Sequence, residues 1–336
     1  MSAQLSHAKR SNSRLLHVVP VQDYPACFPI SRASSKPPAR PAWLTNPFTV
    51  ADSKPAIMSS ASEVIANLVA GLNARDSDAL GALTEESLLV NGNQEPKSQF
   101  VATVLGLTHM CPDISTSVDA LVTNAAGDLG FARCIHRLTL VQSAFGFEAR
   151  NEPSEFVETL FVKVVNGKLV EINTISELKG FVGIKNLDEE VKKVKSLDVQ
   201  PAPEETDLRA NYQAFVSCLN DRSIQEKEVA SQYFCDTIMH NGVDISLDAS
   251  LVFLKKAAAN IENQQFRLKQ VIIDEKQQRI ATHAIITGTP RQPLHGIDPT
   301  GKDVEFSAHV IYQLNGGKIR QIYNLWDMKA YRECLG

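Results

Sequence analysis

The sequence predicts an α+β protein built from two tandem modules, each placing its helices first and a long antiparallel meander after them. Two observations carry this expectation. The chain repeats itself: Leu72-Asn73 returns as Leu219-Asn220, Asn91-Gly92 as Asn241-Gly242, and Asn166-Gly167-Lys168 as Gly316-Gly317-Lys318. The offset stays at about 147 to 150 residues, too long for a solenoid and suited to a duplicated domain. Within each copy the apolar period then changes from helical spacing to alternation, which layers helices against a curled sheet. With 336 residues, 43% of them hydrophobic, each copy has enough apolar material for its own core.

In the first copy, apolar residues at helical spacing predict helices over 62–72 and 76–83, and a third follows Pro96 over 100–105. A short strand is expected at 87–90, and alternating runs predict strands at 114–121, 128–141, 155–165 and 168–175. The second copy repeats the order, with helices at 206–220, 225–233 and 247–259 and a short strand at 237–240. Its long strands are expected at 266–274, 279–289, 304–314 and 318–326. The domain boundaries are then 58–180 for module 1 and 206–336 for module 2. Between them, 181–205 reads as a linker with a short charged helix over 187–195 and Pro201-Ala202-Pro203 after it.

Composition excludes several classes. A net charge of −4 with no clustered positive field argues against nucleic-acid binding, and no apolar run is long enough to span a bilayer. The six cysteines fall at irregular intervals without zinc-type spacing, as expected of buried thiols in a reducing compartment such as the cytoplasm. Residues 1–57 are proline-broken, Ser-rich and more basic than acidic, which suits a disordered tail or, alternatively, a mitochondrial targeting segment. Met58 offers a second start. No metal is expected. Nor is any cofactor, because the chain carries neither a Gly-rich dinucleotide turn nor a flavin motif.

The last hairpin allows a geometric expectation. If Gly316-Gly317 is a two-residue turn, Asn315 pairs with Lys318 and His309 lies opposite Asn324. Glu305, Ser307, His309 and Ile311 then share a cavity face with Ile322, Asn324 and Trp326. The other face carries Phe306, Val310, Tyr312, Tyr323 and Leu325, expected to pack on Phe156, Leu160, Val162 and Ile175 of module 1. Imidazole suits proton transfer near neutral pH, so His309 is the candidate acid/base and Asn324 its orienter; a histidine merely paired with an amide in the sheet is the competing reading. Asp327 joins the catalytic candidates if a bulge turns it inward, and His240, His283, Ser307 and Trp326 are expected around the substrate. In module 1 the same register sets Thr159 opposite Thr174 and leaves only Glu155 at the rim, with His136 and Cys134 as weak candidates. That module reads as a structural or binding copy.

The second copy resembles the SnoaL-like polyketide cyclase family of the nuclear transport factor 2-like superfamily. The resemblance rests on Met239-His240-Asn241-Gly242, Ser246-Leu247-Asp248, Asp298-Pro299-Thr300-Gly301-Lys302-Asp303-Val304-Glu305-Phe306, and Gly317-Lys318-Ile319 leading to Asn324-Leu325-Trp326-Asp327. It extends to module 1 only through the repeat, since that copy lacks the Pro-Thr-Gly-Lys element. The resemblance implies two cone-like modules and a cyclase or isomerase working by cofactor-independent proton transfer on a small hydrophobic, polyketide-like or other secondary-metabolite substrate, with a hydrolase or lyase of the same type as the other enzymatic possibility. It also implies a His and an Asp on the terminal strands; His309 matches the first, and Asn324 stands where the acid is expected. The alternative is a non-catalytic ligand-binding or interaction protein in which the modules pack as a pseudo-dimer. A homo-oligomer is compatible with either.

Overall fold

Two six-stranded sheets, each preceded and interrupted by helices, make up the described part of the chain. This is a computed structural model, and it describes residues 59–143, 149, 152–176 and 194–336. The expected tail at 1–57 and the charged helix at 187–195 lie wholly or almost wholly outside the described residues.

Module 1 runs α1 (Ala61–Ala74), α2 (Ser77–Leu83), β1 (Thr84–Val90), β2 (Asn93–Pro96), α3 (Lys97–Met110), β3 (Ser115–Thr123), β4 (Leu129–Thr139), β5 (Pro153–Val165) and β6 (Lys168–Ser176). Module 2 runs α4 (Leu208–Asn220), α5 (Lys227–Tyr233), β7 (Phe234–His240), β8 (Val243–Ser246), α6 (Leu247–Asn260), β9 (Ile261–Asp274), β10 (Arg279–Pro290), β11 (Val304–Asn315), β12 (Lys318–Trp326) and α7 (Met328–Leu335). Helix starts follow cap chemistry: Ser60 and Glu63 form a capping box on α1, while Asp76, Asp207 and Ser246 accept backbone N–H bonds at α2, α4 and α6. Three elements escaped the sequence reading: β2 and β8, which are four residues long, and the C-terminal helix α7.

The strand orders are β2-β1-β6-β5-β4-β3 and β8-β7-β12-β11-β10-β9, antiparallel except that β1 and β6, and β7 and β12, pair parallel. The helices-first order expected of nuclear transport factor 2-like modules is thus present twice. Both modules belong to one compact unit, Pro55–Gly336. Each has its own core between helices and concave sheet face: Val64, Ile65, Leu68 and Leu80 under Val162 and Ile172 in one, and Tyr212, Phe215 and Val216 under Tyr312 in the other.

The expected register fails at one residue. Gly316 and Gly317 do form the two-residue turn, both at positive φ, with Asn315 opposite Lys318. Arg320 then bulges out: Leu314 pairs with Ile319, but Gln313 pairs with Gln321, so His309 lies opposite Leu325 and Asn324 opposite Val310. A one-residue slip turns every side chain beyond it to the other face. Module 1 does the same between Lys163 and Val164, where Val170 is the extra residue, so Thr159 pairs with Ile175 and not with Thr174.

The face that joins the modules is therefore only partly the expected one: Tyr323 lies in the seam and Leu325 stands opposite His309 there. Phe306, Val310 and Tyr312 turn toward the helices of module 2 or toward α7, and Leu160 and Val162 lie in the core of module 1. The shared cluster is Ala120, Val122, Phe131 and Phe161 against Met239, Ile272, Ala281, Ile311 and Tyr323. Arg133, ion-paired to Asp119, stacks over the Tyr323 ring at 5.1 Å. Asp119 also accepts the Val194 N–H, and Gln321 donates to the Lys195 carbonyl, so the end of the linker is tied to both modules.

Candidate active site

Under α4 and α6, the concave face of the second sheet closes a cavity of about 140 Å³. Its floor is the row Ile238 and His240 on β7, Ile322, Asn324 and Trp326 on β12, Ala308, Val310 and Tyr312 on β11, and Thr282 and Ala284 on β10. Its roof is Tyr212, Phe215 and Leu219 of α4 with Ser250, Phe253 and Leu254 of α6. No Asp, Glu, Lys or Arg lines it.

Of the seven expected site residues, three line this cavity: His240, Asn324 and Trp326. His240 is half-buried, its ring 5.0 Å from that of Phe253, and burial pulls its pKa below the usual 6.5. Asn324 Oδ1 accepts from Asn241 Nδ2 at 2.7 Å.

The other four lie elsewhere. The Arg320 bulge puts His309 in the seam between the modules, where its Nδ1 meets Thr159 Oγ1 at 3.0 Å and its ring meets the edge of Phe161 at 4.8 Å. His283 stands 4.7 Å from it ring to ring, with Nε2 on Ser307 Oγ at 3.1 Å. Because the Thr159 hydroxyl donates to the Ile175 carbonyl, it accepts from His309, which fixes that imidazole as the Nδ1–H tautomer. Asp327 is neither catalytic neighbour nor cavity wall: its carboxylate accepts the Ala330 N–H at 2.9 Å and caps α7.

Sequence reasoning missed four polar groups on the cavity wall: Tyr212, Tyr312, Thr282 and Ser250. The Tyr212 and Tyr312 rings lie 5.3 Å apart. Burial pushes the Tyr212 phenol up to about 12 and the Tyr312 phenol well above its ordinary value, so both stay protonated and can donate hydrogen bonds. The fully buried Thr282 hydroxyl sits beside Tyr212 without a well-aligned hydrogen bond, and the Ser250 hydroxyl is likewise buried without a partner. The signal for Tyr212 was its place on the apolar stripe of α4; Tyr312 was misassigned with the register.

Module 1 also differs from expectation. Its bulge turns Glu158 onto the concave face, where Oε1 accepts from Ser176 at 2.8 Å and Oε2 lies 3.2 Å from His136 Nε2. His136 Nδ1 meets Thr116 Oγ1 at 2.9 Å and its ring stacks on Phe156 at 4.5 Å. A polar chain of Thr116, His136, Glu158 and Ser176 thus crosses four strands of module 1. Glu155, expected at the rim, pairs with Arg137 on the surface.

Residues 209–333 match the model of the SnoaL-like polyketide cyclase family. The second module is a SnoaL-like domain. Solved structures similar to this chain include a SnoaL-like polyketide cyclase from Agrobacterium tumefaciens, at 26% identity over 39% of this chain and 99% of that one, TM-score 0.36. IdmH from Streptomyces antibioticus is 22% identical over 36% of this chain and 94% of its own, TM-score 0.33. TsrD from Streptomyces laurentii is 13% identical over 40% and 98%, TM-score 0.35. No curated protein matches the chain. Among the described residues no three His, Cys, Asp or Glu side chains gather as metal ligands, and no helix is long and apolar enough to cross a membrane.

The seam histidines make stability depend on pH. Burial holds His283 down to about 4 and His309 well below its usual range, so both are neutral in the folded protein, while the unfolded chain takes up protons near 6.5. Their contribution is present in full above about pH 6.5 and is lost as pH falls from there through about 4. For His283 alone the loss amounts to about 3 kcal/mol. The urea midpoint is expected to fall over that interval, and His283→Gln should flatten the fall; an identical pH slope in the variant contradicts the assignment.

Proposed function

We propose that the SnoaL-like domain binds a small, uncharged, mostly apolar carbonyl compound and moves a proton on the carbon beside its carbonyl, with His240 as the base. The observation that carries this reading is an apolar cavity whose only group titrating near neutral pH is one imidazole, held neutral by burial. His240 takes the proton as the C–H bond breaks, and the electron pair moves onto the carbonyl oxygen to give an enolate. Return of the proton to another carbon completes an isomerisation; attack of the enolate carbon on a second carbonyl gives an alkoxide, which takes the proton back from His240 and completes a cyclisation. The protonated Tyr212 and Tyr312 phenols and the Thr282 hydroxyl offer hydrogen bonds to a polar group at the other end of the ligand. A cavity near 140 Å³ suits one or two fused rings, being close to the roughly 150 Å³ apolar cavity known to take benzene.

Indanone in deuterated buffer tests this without knowledge of the natural substrate. The protein is expected to accelerate exchange of the hydrogens beside the ketone above the buffer rate. Binding without acceleration favours the second reading, a ligand-binding module, which draws on the absence of any carboxylate from the cavity wall.

A further inference from the structure

The polarity of the ligand atom beside His240 follows from a chain of amide orientations that begins at the backbone. Asn241 occupies the left-handed region, φ 46, in the Asn241-Gly242 turn between β7 and β8. Its backbone N–H donates to the Ile322 carbonyl at 2.8 Å, which carries the parallel β7–β12 pairing one residue further. Its side chain closes on β12 at two points: Oδ1 accepts the Asn324 backbone N–H at 3.0 Å and Nδ2 donates to Asn324 Oδ1 at 2.7 Å. A backbone N–H can only donate, so Asn241 must present its oxygen to it and its NH₂ to the neighbouring side chain. That NH₂ can only donate, so Asn324 must answer with its oxygen. The Asn324 NH₂, which makes no hydrogen bond among the described residues, is what remains for the cavity that Asn324 lines.

Module 1 has the same clamp with a different end. Asn91, φ 49, donates its N–H to the Ile172 carbonyl at 2.9 Å and accepts the Thr174 N–H on Oδ1 at 2.7 Å. Its Nδ2 reaches a hydroxyl, Thr174 Oγ1, at 3.5 Å. The backbone half of the clamp therefore belongs to the fold, while the residue at its end decides what each concave face is offered.

We infer that Asn241 is a positioning residue that locks the Asn324 amide with its N–H donors toward the cavity, and that the ligand there presents an acceptor oxygen of carbonyl type. This rests on the proposed reading of the same cavity. It adds a selectivity: an acceptor is held beside His240, and a ligand with only a donor at that point leaves two N–H groups facing it.

Three bicycles of similar size separate the outcomes by calorimetric titration: indanone offers an acceptor, indole a donor and indane neither. The full chain is expected to bind indanone at least about 10-fold tighter than indane. Asn241→Asp keeps an acceptor for the Asn324 backbone N–H and tolerates the left-handed backbone, but it has no NH₂, so the Asn324 amide turns over and its oxygen faces the cavity. The variant should lose the preference for indanone over indane and gain one for indole. Equal affinity of the wild type for indanone and indane, or an unchanged indanone preference in Asn241→Asp, overturns the inference. Indanone preference without hydrogen exchange leaves the clamp standing and removes the catalytic reading; exchange without preference does the reverse. Binding of none of the three overturns both.

Discussion

His240→Gln should lower the rate of indanone exchange by about 10² to 10⁴, because glutamine keeps the polarity and much of the size of the imidazole but cannot take a proton. No other side chain on the cavity wall replaces it: Tyr212 and Tyr312 are held protonated, and no carboxylate is present. The pH profile provides an independent check. Burial lowers the pKa of His240, so the base form persists below the usual 6.5, and the wild-type rate should stay level as pH falls through 6.5 before dropping on the acid side. Indanone affinity should change little in the variant, since the ring contributes one edge of a largely apolar cavity. A variant that exchanges indanone as fast as the wild type would sink the assignment of His240.

The duplicated module, the helices it repeats and its eight long strands were legible because each is written in local pattern: helical spacing, alternation and the Gly316-Gly317 turn. The candidate site was legible only in part because it depends on parity along β12, which one inserted residue reverses. Arg320 carries no sign of its bulge in sequence: it is polar in an alternating strand and pairs with Asp244 at 3.0 Å on the surface. Reading the strand as regular placed His309 with Asn324; the bulge separates them onto opposite faces and brings His240 and Asn324 to the same cavity. Asp327 was misread for a related reason. A lone acidic residue at the end of a strand looks catalytic until the eight-residue helix it caps is recognised. Module 1 shows the same shift at the equivalent place, between Lys163 and Val164, so the bulge recurs in both copies although neither sequence announces it.

Phe161→Ala should cost about 3 to 5 kcal/mol of stability, the largest loss expected of a single truncation in the seam. Phe161 is completely buried, 5.0 Å from the Phe131 ring on its own sheet and 4.8 Å from His309 on the other, with His283 at 5.9 Å. Removing the ring opens a cavity beside two neutral imidazoles whose free nitrogens, His309 Nε2 and His283 Nδ1, have no hydrogen-bond partner. Collapse around the gap is limited because both walls are strands held by their own ladders, β4–β5 and β10–β11. Urea unfolding followed by circular dichroism reads the loss directly, and a change below about 1 kcal/mol would show that the modules do not share this core. The same strands present Val310 and Tyr312 to the ligand cavity and His309 and Ile311 to the seam. Phe161→Ala and His309→Ala should therefore leave indanone exchange per folded molecule near the wild-type rate. That outcome distinguishes a histidine that holds two modules together from one that moves a proton; a collapse of the rate in well-folded His309→Ala would return catalysis to the seam.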